Sequence, residues 1–308
     1  MPDLSEAEPT DDLVRPFQLT APSLRGRLAR LGPALDRIIA RHAYPEAVAA
    51  MLGQAVALAA LLAGALKYEG VFTLQTRSDG PIRLLVADVT SEGAVRGYAQ
   101  YDDGAVAAAT GSGAPVPRLL GAGHLAFTVD QGEHAERYQG IVALEGATLA
   151  ECAHHYFRQS EQIEAGLTVA AAKRESGWRA GGIMLQRIPA EGGVAESRAA
   201  EAEDDGWRLV LGKLGTCSEA ELTNPSLGAD GLLYRLFHEE AVRVFPAHPL
   251  VDRCRCSRAR IESVLRSLPE DDLAHVAADG QAEVTCEFCS TVYRFTEAEL
   301  AALRRRAV

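Results

Sequence analysis

Four of the six cysteines in this 308-residue chain fall within 36 positions near its C-terminus, as Cys254-Arg-Cys256 and, after 29 intervening residues, Cys286-Glu-Phe-Cys289. Two close thiol pairs separated by a spacer form the donor set of a tetrahedral structural zinc site. Each pair supplies one edge, so a shared ion forces the two pairs together whatever lies between them. The flanks agree: "AEVT" (282–285) and "TVYRF" (291–295) read as strands, which puts the CxxC at a hairpin turn, as in a zinc ribbon. The CxC half is a tighter clip than the two to four intervening residues that most such sites use. A unit of about sixty residues has a marginal core of its own, so metal binding and folding of residues 250–308 should be one event. Metal-held sulfurs are thiolates, the form that oxidants attack, and a neighbouring thiol resolves the product as a disulfide.

Upstream, Ala47 to Leu66 carries no charge over twenty residues, enough to cross a bilayer. It is mostly alanine, contains Gly53, Gln54 and Gly64, and has no aromatic belt, so it reads as a buried helix. Strand-like runs follow at 71–77, 82–89 and 94–101, separated by the turns "SDGP" and "TSEG", which predict an antiparallel meander. A Gly/Pro-rich loop (109–124) precedes strands at 125–131 and 137–144. Thr148 with Glu151 is a capping-box start for an amphipathic helix to about Gln162, and strands are expected at 167–174 and 180–189. Residues 190–206 are small, acidic and rich in helix formers, a linker or solvent-facing helix, and 225–246 has a helical apolar pattern at Leu232, Leu233, Leu236 and Phe237. The fold class is therefore α+β. The expected division is a core domain over residues 1–189, a helical linker over 190–246 and a zinc-binding redox-switch domain over 247–308.

A net charge of -11 disfavours general affinity for nucleic acid or anionic membrane. The acidic start, "MPDLSEAEPTDD", lacks the marks of a signal peptide, so a cytoplasmic location is expected. A zinc ribbon that binds nucleic acid is one alternative reading, but residues 251–308 hold 9 Arg and 10 Asp plus Glu, without a basic excess. A thiol–disulfide oxidoreductase is another. Its reactive cysteine belongs at a helix N-terminus in a βαβ unit, not between strands beside a second pair. Cys152 with His154 and His155 lies on one helix and cannot readily form a nucleophile–base–orienter array, and His238 beside Glu239 and Glu240 reads as a surface or packing residue. "GKLGT" at Gly212-Lys213 is no phosphate loop, because Leu214 stands where Ser or Thr is required. No catalytic residues and no organic cofactor site are expected.

The CxC, the spacer and the CxxC resemble the signature of the redox-regulated holdase chaperones of the prokaryotic cytosol, the thirty-three-kilodalton chaperonin family. So do "SDGPIRLLVADV", "VRGYA", "ERYQGIVALEGATLAECAHHYFRQSEQ", "AGGIMLQ", "LLYRLFHEE" and "CRCSRARI", which extend the likeness over nearly the whole chain. The resemblance implies that Cys254, Cys256, Cys286 and Cys289 bind one zinc ion in the reduced form. It implies that oxidation pairs Cys254 with Cys256 and Cys286 with Cys289. It further implies an inactive zinc form and an active, partly unfolded, often dimeric oxidised form that binds unfolding client proteins without ATP. Cys152 and Cys217 lie outside the motif, and the switch should not depend on them.

Overall fold

The computed structural model describes residues 11–20, 23–109, 111, 113–132, 137–158, 164–187, 197–269 and 281–305. The expected helix end at Gln162, the strand end at 188–189, residues 190–196 and Arg306 lie outside them. The chain forms two compact units, Met1–Asp252 and Arg253–Val308.

The first unit opens with β1 (Leu13–Leu19), β2 (Leu24–Leu31), α1 (Pro33–Ala40) and α2 (Glu46–Ala63). A meander follows, β3 (Val71–Ser78), β4 (Ile82–Thr90) and β5 (Ala94–Tyr101), then α3 (Asp103–Ala108), β6 (Gly123–Asp130), β7 (Tyr138–Ala143) and α4 (Leu149–Tyr156). Next come β8 (Ala165–Arg174), β9 (Gly177–Arg187), α5 (Ser197–Gly215), α6 (Glu219–Leu222) and α7 (Ala229–Phe237). The short strands β10 (Val242–Val244), β11 (His248–Pro249) and β12 (Val251–Asp252) complete it. One sheet has the order β10-β1-β2-β9-β8, with β11 also on β1; the other runs β12-β5-β4-β3-β6-β7.

The uncharged α2 lies between these sheets, packed on β2, β8 and β9 of one and β3, β4 and β5 of the other. A helix covered on both sides needs apolar residues all round, which is why its composition mimics a membrane span. Among the described helices it is the one long and apolar enough to cross a bilayer, and 78% of that stretch is buried in the core. Gly53 gives the close approach its room: a Cβ there would come within 2.7 Å of the Ala171 methyl.

Strand periodicity then decides what the first sheet offers on its other face. On β2, Ala29 and Leu31 join the core around α2, while Leu24 and Leu28 point away; on β9, Ala180 and Met184 alternate likewise with Ile183 and Leu185. The outward set, with Leu13, Phe17 and Leu19 of β1, forms a second core. Its cover comes from the helices after β9: Trp207, Val210 and Leu214 of α5, Leu222 after α6's capping box at Ser218, and Leu232, Leu233, Leu236 and Phe237 of α7. Phe17 stacks on Phe237 with centroids 5.9 Å apart. Gly26 makes this possible, because a Cβ there would sit 2.1 Å from the Phe17 ring.

Two features of β1 explain why its sequence does not look like a central strand. Pro16 falls where its partner changes from β10 to β11, so its missing N–H leaves no gap in the ladder. Arg15 and Arg30 are buried, Arg15 donating to the Phe245 carbonyl (3.0 Å) and Arg30 pairing with Asp11 (3.3 Å).

The second unit consists of α8 (Arg258–Ser267), the hairpin β13 (Gln281–Thr285) and β14 (Val292–Thr296), and α9 (Glu297–Arg305). Its core has five buried residues among those described: Leu265, Ala282, Phe295, Leu300 and Leu303.

Candidate metal centre

Cys254 and Cys256 lie in the segment leading into α8, and Cys286 and Cys289 in the turn between β13 and β14. The α8 start is fixed by Ser257, whose hydroxyl accepts from the Arg260 N–H (3.3 Å), and the Arg260 guanidinium returns to the Arg255 carbonyl (2.9 Å). That contact holds the CxC segment in a tight curve. The CxxC turn closes through Cys286 N–H to the Thr291 carbonyl (2.9 Å) and Ser290 N–H to the Cys286 carbonyl (2.8 Å), with Ser290 in the left-handed region at φ 57°. Arg258 joins the halves: it donates to the Arg294 carbonyl (2.9 Å), pairs with Glu299 (2.7 Å) and lies 4.3 Å over the Phe295 ring.

The four Sγ atoms all lie within 4.8 Å of one another. Cys254 is 3.8 Å from Cys286 and Cys256 is 3.3 Å from Cys289, so the two halves of the motif are in sulfur–sulfur contact. A zinc ion with four sulfurs at about 2.3 Å has tetrahedron edges of about 3.8 Å, so this donor set closes around such an ion with sulfur shifts of about 1 Å or less.

The sulfurs differ electrostatically. Burial works against ionisation of Cys289, but the Thr291 hydroxyl and amide and the neighbouring sulfurs outweigh it and bring that thiol down to about 6. Cys256 is pushed up to about 12, first by burial and then by its sulfur neighbours, against an opposing hydrogen bond from the Tyr293 hydroxyl. Burial also raises Cys286, although the Cys289 and Phe288 amides donate to it. Cys289 ionises readily while Cys256 and Cys286 resist, the pattern expected of crowded sulfurs that a divalent cation would bring to the thiolate form with release of protons.

The other two cysteines stand apart. Cys152 is fully enclosed on α4 and Cys217 is half-buried; burial pushes each to about 11 and keeps it a protonated thiol. His154 and His155 share α4 with Cys152, and His155 lies 3.8 Å from Glu145. His238 approaches the Tyr234 carbonyl (3.1 Å), while Glu239 and Glu240 both meet Lys213. Neither group forms a nucleophile–base array. Sequence reasoning singled out the four cysteines but passed over Arg258, Arg260 and Tyr293. A signal existed for the first two: Ser257 ahead of Ile261, Val264 and Leu265 is an N-cap before a helical apolar spacing.

Fold and cluster together define a class: a two-unit α+β protein whose small second unit is organised around a four-thiol site able to coordinate a metal ion. A model of the Hsp33 protein family matches residues 12–296. A 33 kDa chaperonin of Caulobacter vibrioides is 42% identical over 291 residues, covering 92% of this chain and 94% of that relative. One from Pseudomonas fluorescens is 38% identical over 297 residues, covering 96% and 94%. The crystal structure of the 33 kDa chaperonin from Thermotoga maritima, at 24% identity, superposes with a TM-score of 0.75 over 96% of this chain and 98% of that one, and so shares the fold. The chain belongs to the Hsp33 family, the non-enzymatic, redox-regulated holdase chaperones of the stress response, which are typically cytoplasmic.

Proposed function

We propose that Cys254, Cys256, Cys286 and Cys289 hold one zinc ion per reduced chain, and that their oxidation switches a cytoplasmic, ATP-independent holdase from inactive to active. The observation that carries this reading is the convergence of four sulfurs within 4.8 Å in a unit whose described apolar core has only five buried residues. A core that small leaves the unit dependent on its metal, since structural zinc contributes about 10–16 kcal/mol in comparable small modules. Two pairings, Cys254 with Cys256 and Cys286 with Cys289, remove all four ligands. Each forms from two thiolates that pass two electrons to one peroxide; the O–O bond breaks and its two oxygens take up two protons from solvent to leave as two waters.

In this reading residues 1–189, 190–246 and 247–308 act as core domain, linker and redox switch. The linker's apolar stripe covers Leu13, Phe17, Leu24, Leu28, Ile183 and Leu185, a surface as apolar as any core. β10, β11 and β12 carry the chain from that cover directly to Arg253, where the thiol unit begins. Loss of order beyond Asp252 thus leaves that end of the linker held only by the short β10, β11 and β12 pairings. Mild heat supplies the second push, and the uncovered surface receives unfolding client proteins. The same surface drives oxidised chains into homodimers; clients, not nucleic acid or membrane, are the partners.

The test follows zinc content, free thiols, limited proteolysis and protection of a heat-unfolding enzyme in one peroxide-treated, slowly warmed sample. Zinc leaves first, protease sensitivity appears beyond residue 252 and then within 190–246, and client protection tracks the second step. Full protection with the linker still protease-resistant overturns linker undocking as its source, and reduced protein without zinc overturns the metal assignment.

A further inference from the structure

Hydrogen-bonding groups of the β13–β14 hairpin face the sulfurs of Cys286, Cys289 and Cys256. The Cys286 sulfur takes the Phe288 and Cys289 amides, and the Cys289 sulfur takes the Thr291 amide and, once it is a thiolate, the Thr291 hydroxyl 3.2 Å away, partners that a CxxC turn presents to its own cysteines. The third is different. The Tyr293 hydroxyl, on β14, reaches across to the other half of the site and donates to the Cys256 sulfur at 3.1 Å. Its ring packs against the small core of Leu265, Ala282 and Phe295, together with Ile261, Leu268 and Val284. The hydroxyl is thereby held by packing on a rigid strand.

We propose that Tyr293 is a positioning residue that brakes oxidation of the switch by donating its hydroxyl to the Cys256 sulfur. This rests on the zinc-thiolate reading above. The chemistry gives the direction. When Cys256 is oxidised by peroxide, a sulfur lone pair attacks one oxygen, the S–O bond forms as the O–O bond breaks, and hydroxide leaves. A donor on that sulfur stabilises its negative charge and lowers the electron density available for attack, as outer-shell hydrogen bonds do for metal ligands generally. The hydroxyl also ties the CxC segment to the hairpin that carries the other pair, which slows opening of the cluster.

Tyr293→Phe keeps the ring and removes only the donor. In the full-length reduced chain, zinc content and thermal unfolding are compared with wild type. The two proteins then receive the same limiting peroxide, zinc release is followed with a chromogenic chelator, and oxidation is mapped cysteine by cysteine by mass spectrometry. The variant retains zinc but oxidises Cys256 roughly three- to tenfold faster, with a matching rise in zinc release, the scale expected for one charge-assisted hydrogen bond partly lost before the transition state. Thr291→Val is the comparison: it removes a donor from Cys289 and speeds that thiol without speeding Cys256. Equal Cys256 rates in Tyr293→Phe and wild type overturn the proposal. So does uniform acceleration of all four thiols, or a variant that has lost its zinc before oxidant is added, since either marks a structural role. Absence of zinc from reduced wild type instead removes the underlying metal reading.

Discussion

Lys213 offers a way to weaken the packing of the linker's own helices on one another, and so the cover they form, without touching a cysteine or an apolar contact. Near the end of α5, its ammonium meets Glu239 at 2.6 Å and also the Glu240 carboxylate, two neighbours just past α7. Glu240 is buried, with 5% of its side chain exposed, and its second oxygen has no hydrogen-bond partner among the described residues. That carboxylate therefore depends on Lys213. Truncating one partner of a buried pair costs about 3–5 kcal/mol because the other charge is left stranded. Lys213 itself is 21% exposed, so solvent softens the loss and the expected cost of Lys213→Met is nearer 2–3 kcal/mol. At roughly 2–4 °C per kcal/mol for a unit of this size, the temperature at which the linker becomes protease-sensitive falls by about 5–10 °C. In oxidised protein, client protection should begin at a correspondingly lower temperature. Adding Glu240→Gln removes the stranded charge, so the double variant recovers most of the loss; that non-additivity separates electrostatics from altered packing. The assay is proteolysis against temperature on wild type, both single variants and the double. A Lys213→Met midpoint within about 1 °C of wild type, or no rescue by Glu240→Gln, refutes the argument.

Other outcomes follow from the same structure. Because its carboxylate partners raise the Lys213 pKa above 10.5, its contribution to stability is fully present below that value and lost only as pH climbs through the higher folded pKa; proteolysis of the linker against pH should stay flat through neutrality and rise on the alkaline side. Gly26→Ala should destabilise linker docking by about 2 kcal/mol or more, read by thermal unfolding, because its Cβ would sit 2.1 Å from a Phe17 ring already stacked on Phe237. Ala241 holds a left-handed φ of 50° after α7, so Ala241→Gly should stabilise the unit by about 1 kcal/mol, read as a higher thermal midpoint. Cys286→Ser should lose zinc and order beyond residue 252, whereas Cys217→Ser should keep both, as measured by zinc content and amide exchange.

What could be read from the sequence follows how local the determining physics is. The β3–β4–β5 meander was legible to within a residue, since alternation and the turn chemistry of "SDGP" and "TSEG" act over a few positions. The thiol site was legible for the same reason: its donors announce themselves by type and spacing. β1 and β2 were not. Arg15, Arg27 and Arg30 break their apolar alternation, and each donates to a group outside its own hairpin: the Phe245 carbonyl, the Gly64 carbonyl and Asp11 with the Asn224 carbonyl. No window of local sequence contains both halves of such a pair.

The linker shows the limit most clearly, and the limit bears on how the switch works. Its helices were partly legible, and the Trp207, Val210, Leu211 and Leu214 spacing marks a stripe that runs one turn after another along α5. Its partner surface was not legible, because that surface comes from alternate residues of β1, β2, β8 and β9, strands drawn from both ends of the core. A sheet covered by α2 on one face keeps its fold when the other face is stripped, since Ala29, Leu31, Ala180 and Met184 remain buried around that helix. Undocking the linker therefore exposes a formed, rigid apolar face instead of melting the core. On the proposed reading, the capacity to hold clients is built into the outward residues of the strands, and the cysteines govern only when it is uncovered. Stripping the linker by proteolysis after oxidation should accordingly leave the β1–β9 core folded, with near-wild-type amide protection in α2.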